Sequence, residues 1–139
     1  MKHLILFFLF ISSYVFSQVN ITKTLGEFST LKVYDLINVE LIKSDTNKIM
    51  ITGQNISDVS IIQKNDLLKI RMNTKKMFNG NQTQVKLFYT AIDIIDANEG
   101  AVINSKDPIK QYELTLKTQE GAKISALADT KLLNIKCFT

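Results

Sequence analysis

Asn98-Glu99-Gly100-Ala101-Val102-Ile103-Asn104-Ser105 returns as Gln119-Glu120-Gly121-Ala122-Lys123-Ile124-Ser125-Ala126, so that Glu-Gly-Ala recurs after 21 residues. Each copy runs into apolar β-formers and closes on a small polar pair. A fixed short period is the mark of a fold built by stacking one small unit on itself. About 21 residues make one coil of two or three short strands, with successive coils about 4.8 Å apart and paired through their backbones. Gly-Ala at a corner lets the chain turn without a clashing side chain. The alternative is a chance likeness between two β-hairpins.

The flanking residues extend the repeat. Leu114 and Leu116 match Ile135 and Cys137 at the same spacing, and Tyr112 matches Leu133. Tyr112 should therefore lie over Leu133 and Leu114 over Ile135, and Cys137, equivalent to Leu116, should point into the apolar ladder rather than stand as an exposed thiol or join an intermolecular disulfide. Ile92 and Ile94 precede Tyr112 and Leu114 by 20 residues, a slip that a one-residue bulge would absorb.

Upstream, the period is two. Leu31 and Val33 alternate with Lys32 and Tyr34; Ile37, Val39 and Leu41 with Asn38 and Glu40; Leu68, Ile70 and Met72 with Lys69 and Arg71; and Val85, Leu87 and Tyr89 with polar partners. Such runs predict half-buried strands. Ser44-Asp45-Thr46-Asn47, Gly53-Gln54-Asn55, Lys64-Asn65-Asp66 and the stretch around Asn79-Gly80 are turn-prone. Ile56–Ile62 is short and β-branched and reads as strand. Pro108 falls between repeat units, where it costs no ladder hydrogen bond. The expected fold is all-β: short antiparallel strands or hairpins over about 28–90, running into a β-solenoid of the parallel β-helix kind over about 91–139.

Residues 1–17 read as a Sec-type signal peptide. Lys2 and His3 precede the apolar run Leu4–Ile11, and small residues lead to a cut before Gln18. A run of eight is short of the roughly 20 residues that span a bilayer. Residues 18–139 then form one domain with no integral membrane segment, exported to the periplasm, the outer surface or the medium. Without Lys2 that domain has 16 Lys+Arg against 13 Asp+Glu, and a single arginine, Arg71. Phosphate recognition leans on arginine forks and basic clusters. Here only Lys75-Lys76 are adjacent, so nucleic acid is not expected as a partner. One cysteine cannot make an intrachain disulfide.

Loss of His3 with the leader removes histidine altogether, which excludes Ser-His-Asp, Cys-His and imidazole-metal chemistry. Asp93, Asp96 and Glu99 form the densest acidic group. They could ligate calcium or cleave sugars as a carboxylate pair, but read equally well as a solvated turn. Asp35 with Glu40 is a weaker pair. Lys75-Lys76-Met77-Phe78 could touch acidic polymer or headgroups, or be a solvated hairpin tip. Tyr34, Phe88 and Phe138 could form a binding strip or a second core. No catalytic, cofactor-binding or metal residue is assigned, and no cofactor is expected.

Phe28-Ser29-Thr30-Leu31-Lys32-Val33, Asn38-Val39-Glu40-Leu41, Ile49-Met50-Ile51-Thr52-Gly53 and Leu67-Leu68-Lys69-Ile70, followed by the Glu-Gly-Ala corners, resemble the "putative auto-transporter adhesin, head GIN domain" family. The resemblance covers roughly 28–139. It implies an exported, β-helical, adhesin-like protein with no established catalytic residues. The corner glycines are fewer here than in that family. The unpaired edge of a last coil would need further coils or a partner. Three functions follow as expectations: surface display toward an unknown protein or glycan, a polysaccharide-acting enzyme, or an envelope module binding a periplasmic protein through its open edge. Edge-to-edge self-association is a further possibility.

Overall fold

The structure, a computed structural model, describes residues 19–139; the signal-peptide reading of 1–17 lies outside them. Among the described residues the strands are β1 (Ile21–Thr24), β2 (Thr30–Val33), β3 (Asn38–Lys43), β4 (Lys48–Gly53), β5 (Val59–Lys64), β6 (Leu67–Met72), β7 (Thr83–Tyr89), β8 (Ile94–Ala97), β9 (Val102–Ser105), β10 (Ile109–Thr118), β11 (Lys123–Ser125) and β12 (Ala128–Cys137). Short 3-10 turns cover Ile56–Asp58 and Thr74–Lys76. The chain is all-β, in two mixed six-stranded sheets ordered β1-β4-β7-β3-β9-β11 (sheet A) and β5-β6-β2-β8-β10-β12 (sheet B).

The alternation seen in the sequence sets the two inner faces. Val39, Leu41, Ile49, Ile51, Val85, Leu87 and Ile103 of sheet A, and Leu31, Val33, Leu68, Ile70, Met72, Ile95 and Leu114 of sheet B, are all buried in one core. Full burial of each such side chain contributes about 1.5–3 kcal/mol.

Corners carry the chain between sheets. β2 passes to β3 at Tyr34–Ile37, β8 to β9 at Asn98–Ala101, and β10 to β11 at Gln119–Ala122. Each is closed by a fourth-to-first hydrogen bond: Ile37 N to Tyr34 O (3.3 Å), Ala101 N to Asn98 O (3.0 Å) and Ala122 N to Gln119 O (3.2 Å). Each central pair is left-handed: Asp35 and Leu36 (φ 60° and 62°), Glu99 and Gly100 (51° and 70°), Glu120 and Gly121 (54° and 74°). Two positive φ values in succession define a type I′ turn. The corners also bond to one another, Leu36 N to Glu99 O and Gly100 N to Glu120 O, both 3.0 Å.

The 21-residue spacing appears in the pairing. Ile94 pairs with Thr115 and Ile95 with Leu116; Val102 pairs with Lys123 and Ile103 with Ile124. The expected slip at Ile92 and Ile94 is not there. From β10 to β12 the spacing falls to 19, which places Leu114 over Leu133 and Leu116 over Ile135 instead of the expected partners. One residue is lost because β11 is shorter than β9, and another because Ala126-Leu127 replaces Lys106-Asp107-Pro108 as the connection. A loss of two preserves which side chains face inward. Tyr112 falls where the inward face switches between Ile109 and Leu114, and it is 77% exposed. Cys137 lies over Thr118, not at the Leu116 position, and is an exposed free thiol.

The stretch 28–90 is more than hairpins. β5–β6, β4–β7 and β1–β4 are antiparallel, yet β2 pairs in parallel with β6 and β8, and β3 with β7 and β9. Corners that move the chain to the other sheet prevent β2 and β3 from pairing with each other, so each finds parallel partners far along the chain. Ile56–Ile62 divides into the 3-10 turn and the start of β5.

Candidate surface site on the outer face of sheet B

Inward Leu31, Val33, Leu68, Ile70, Ile95 and Leu116 force their strand neighbours outward. The register then assembles a row across sheet B that no local stretch of sequence contains. Ile62 pairs with Lys69, Lys69 with Lys32, Lys32 with Asp96, Asp96 with Lys117, and Lys117 with Lys136. From β6 to β12 the row covers four inter-strand steps, about 19 Å at about 4.8 Å each. It holds four lysines and one aspartate. The aspartate is recessed, 4% exposed, with Oδ2 3.4 Å from Lys32 Nζ and Oδ1 accepting from Asn98 Nδ2 at 3.0 Å.

Tyr34 continues the outer face of β2. Lys69 Nζ and the Arg71 guanidinium lie 5.8 and 5.9 Å from its ring centre, within cation–π range. Burial, more than any neighbouring charge, raises the Tyr34 hydroxyl above its ordinary pKa, so it stays protonated near neutrality. Arg71 is drawn to Asp35, 3.8 Å from its Oδ2.

The preceding row is Leu67, Thr30, Ile94, Thr115 and Asn134. Beside it a shallow groove of about 430 Å³ is lined by Asp93, Ile94, Gln111, Tyr112, Glu113 and Thr115. Tyr112 also borders a second groove of about 480 Å³ that includes Lys110, Asp129 and Lys131. It is a ridge between two depressions, with hydrogen-bonding groups on both sides. Glu113 Oε1 accepts from Asn134 Nδ2 at 2.9 Å.

The acidic residues singled out in the sequence are dispersed. Asp93 is exposed beside the groove, Asp96 is tied to Lys32 and Asn98, and Glu99 belongs to the corner column. Asp35 does not face Glu40, whose Oε1 pairs with Lys106 Nζ at 3.0 Å. Asp35 is fully buried, accepting from Met72 N and Phe78 N at 3.0 Å each. Its neighbour in the column is Glu99, whose Oε2 is buried without a hydrogen-bond partner. Burial first, and then the adjacent Asp35, push the Glu99 carboxyl above its ordinary range. Among the described residues no group of three or more His, Cys, Asp or Glu is placed to hold a metal ion.

Lys75-Lys76-Met77-Phe78 is an exposed loop anchored by the Phe78 amide on Asp35. Phe138 is exposed, whereas Tyr34 and Phe88 are half-buried, the latter under Lys48 Nζ at 4.4 Å; they form no continuous strip. At the β12 end, Leu116, Ala122, Ile124, Ile135 and Cys137 line an apolar cleft of about 510 Å³. Among the described residues no helix is long and apolar enough to cross a membrane.

The family model described as "putative auto-transporter adhesin, head GIN domain" matches residues 27–139. No curated protein matches the sequence. Similar solved structures include a "putative adhesin" from Parabacteroides merdae ATCC 43184, with TM-score 0.66 and 18% identity over 86% of this chain and 52% of that one. Another, from Bacteroides fragilis NCTC 9343, has TM-score 0.63 and 12% identity over 81% of this chain and 60% of that one. A "putative lipid binding protein" from Parabacteroides distasonis ATCC 8503 has TM-score 0.55 and 14% identity over 85% and 61%. The chain thus spans between half and two thirds of these neighbours, and at such identities the likeness is one of fold.

Proposed function

The chain belongs to the family described as putative auto-transporter adhesin, head GIN domain, and from that premise we propose that it is an exported, non-enzymatic, adhesin-like domain presenting flat sheet faces to a protein or glycan. Export rests on the signal-peptide character of residues 1–17. The 21-residue spacing of β8–β10 and β9–β11 supports reading β8 to β12 as coils of a β-solenoid, a form suited to repetitive partners. The observation that carries the proposal is the outer face of sheet B. Side chains from β5, β6, β2, β8, β10 and β12 stand there in register over a surface marked only by shallow grooves.

Immobilised protein should retain polysaccharides or surface proteins from a panel and release them chemically unchanged. Cleaved or eliminated products, with or without added calcium, would overturn the non-enzymatic part. Absence of any retention would overturn the display part. A second reading, docking of another envelope protein along β12, is favoured by the apolar cleft and by Leu133 and Ile135, 43% and 64% exposed. Leu133→Lys with Ile135→Lys should then abolish capture of one discrete partner while leaving glycan retention intact.

A further inference from the structure

We infer that the lysine row of sheet B is a binding track for a linear, carboxylate-bearing polysaccharide, an inference that rests on the display function proposed above and names its partner class. Lys69, Lys32, Lys117 and Lys136 come from four strands and are scattered through the sequence, yet register puts them in single file across the sheet. Two of the adjacent pairs, Lys32–Lys69 and Lys117–Lys136, set like charges directly opposite one another, an arrangement that destabilises a sheet. Asp96 relieves part of that repulsion but is recessed and committed to Lys32 and Asn98. The row therefore presents an excess of ammonium groups that the fold does not need. A partner supplying anions at similar intervals would neutralise them.

Geometry selects the class of polyanion. Inter-strand steps of about 4.8 Å are comparable to the rise of one sugar ring in an extended glycan, so the pairs Lys69–Lys32 and Lys117–Lys136 can each meet two successive carboxylates, with one ring spanning the recessed Asp96 between the pairs. In the adjacent outer row, two residues or about 7 Å along each strand, Thr30, Thr115 and Asn134 offer hydrogen bonds to sugar hydroxyls. Nucleic acid fits less well because phosphate recognition leans on arginine forks and this domain has a single arginine, Arg71. A lipid surface fits less well too, since along the lysine row and the flanking row of Leu67, Thr30, Ile94, Thr115 and Asn134 the one exposed large apolar side chain is Ile62, at the far end on β5, too little to anchor in a bilayer.

The test is binding of the protein to polygalacturonate and to the same polymer with its carboxyls methyl-esterified, over a range of salt. Wild type should prefer the free acid by about tenfold or more and weaken as salt rises, as expected for several exposed ionic contacts. Lys69→Gln, Lys117→Gln and Lys136→Gln together should lose about tenfold in affinity. The same charge change made on sheet A, by Lys23→Gln, Lys86→Gln and Lys123→Gln, should lose less than about twofold. The row variant should melt no lower than wild type, because it removes like-charge neighbours. Equal affinity for acid and ester would refute the ionic track while leaving glycan display standing. Equal losses in the two triple variants would reduce the effect to net charge and refute the track. Stronger retention on anionic phosphatidylglycerol vesicles than on polygalacturonate would replace the polymer by a membrane. Failure to bind polygalacturonate, with retention of neutral glycans or proteins, would sink the inference alone, whereas failure on every surface would sink the display function with it.

Discussion

Gly100 and Gly121 occupy the same place in successive corners, at φ 70° and 74°, yet their surroundings differ. A Cβ on Gly100 would lie 2.5 Å from Leu36 Cδ2, whereas one on Gly121 would meet nothing within 4 Å. Alanine at either position incurs the left-handed backbone cost, about 1–2 kcal/mol. At Gly100 it must also displace the Leu36 side chain, adding about 0.5–1.5 kcal/mol for an off-rotamer torsion. Gly100→Ala should therefore cost about 2–3 kcal/mol and Gly121→Ala about 1–2 kcal/mol. Equilibrium urea unfolding followed by circular dichroism measures both. In a Leu36→Ala background the clash is gone, and the two costs should converge. If the two alanine variants are equally destabilised in the wild-type background, or if the difference survives Leu36→Ala, the corner geometry is wrong.

Glu99→Gln should stabilise the protein at neutral pH. Because burial and Asp35 raise the folded-state carboxyl, the native state holds a proton that the unfolded chain releases at lower pH. Wild-type stability should fall as pH rises from the ordinary glutamate range through the raised folded value, and then level off. The glutamine variant should lack that fall, so a stability difference between the two that does not vary with pH would remove the assignment. Cys137 should react stoichiometrically with a maleimide in the folded protein, at a rate close to that in urea, as its exposure requires; protection in the folded state would restore the buried position that the 21-residue spacing implied.

Alternation made the core legible. Leu31, Val33, Val39, Leu41, Leu68, Ile70, Val85 and Leu87, all read as inward from period two, are buried. The Glu-Gly-Ala corners were legible because glycine marks the second left-handed position. The equivalent corner at Asp35-Leu36 was not, since it adopts the same backbone without glycine, and aspartate's tolerance of that region was the only signal. Partner choice between strands was hidden as well. Nothing local tells Lys32 that it will stand between Lys69 and Asp96, so residues that alternation marks merely as solvated become a row only after the corners have redistributed the strands. The two residues lost before β12 were visible in the sequence, but their effect depends on where the corner falls, and extending the 21-residue period misplaced Tyr112 and Cys137.

The corner column has a consequence for the order of assembly. Leu36 and Glu99 are about three times as far apart along the chain as Gly100 and Glu120, so the first bond closes a loop costing about 1 kcal/mol more. β8 to β12 can organise from near neighbours, whereas β2 and β3 need β8 and β9 beside them before their sheets are complete. β2 and β3, though synthesised early, thus complete their pairing late, and pulse-labelled hydrogen exchange should find amides of β10 and β11 protected before those of β2.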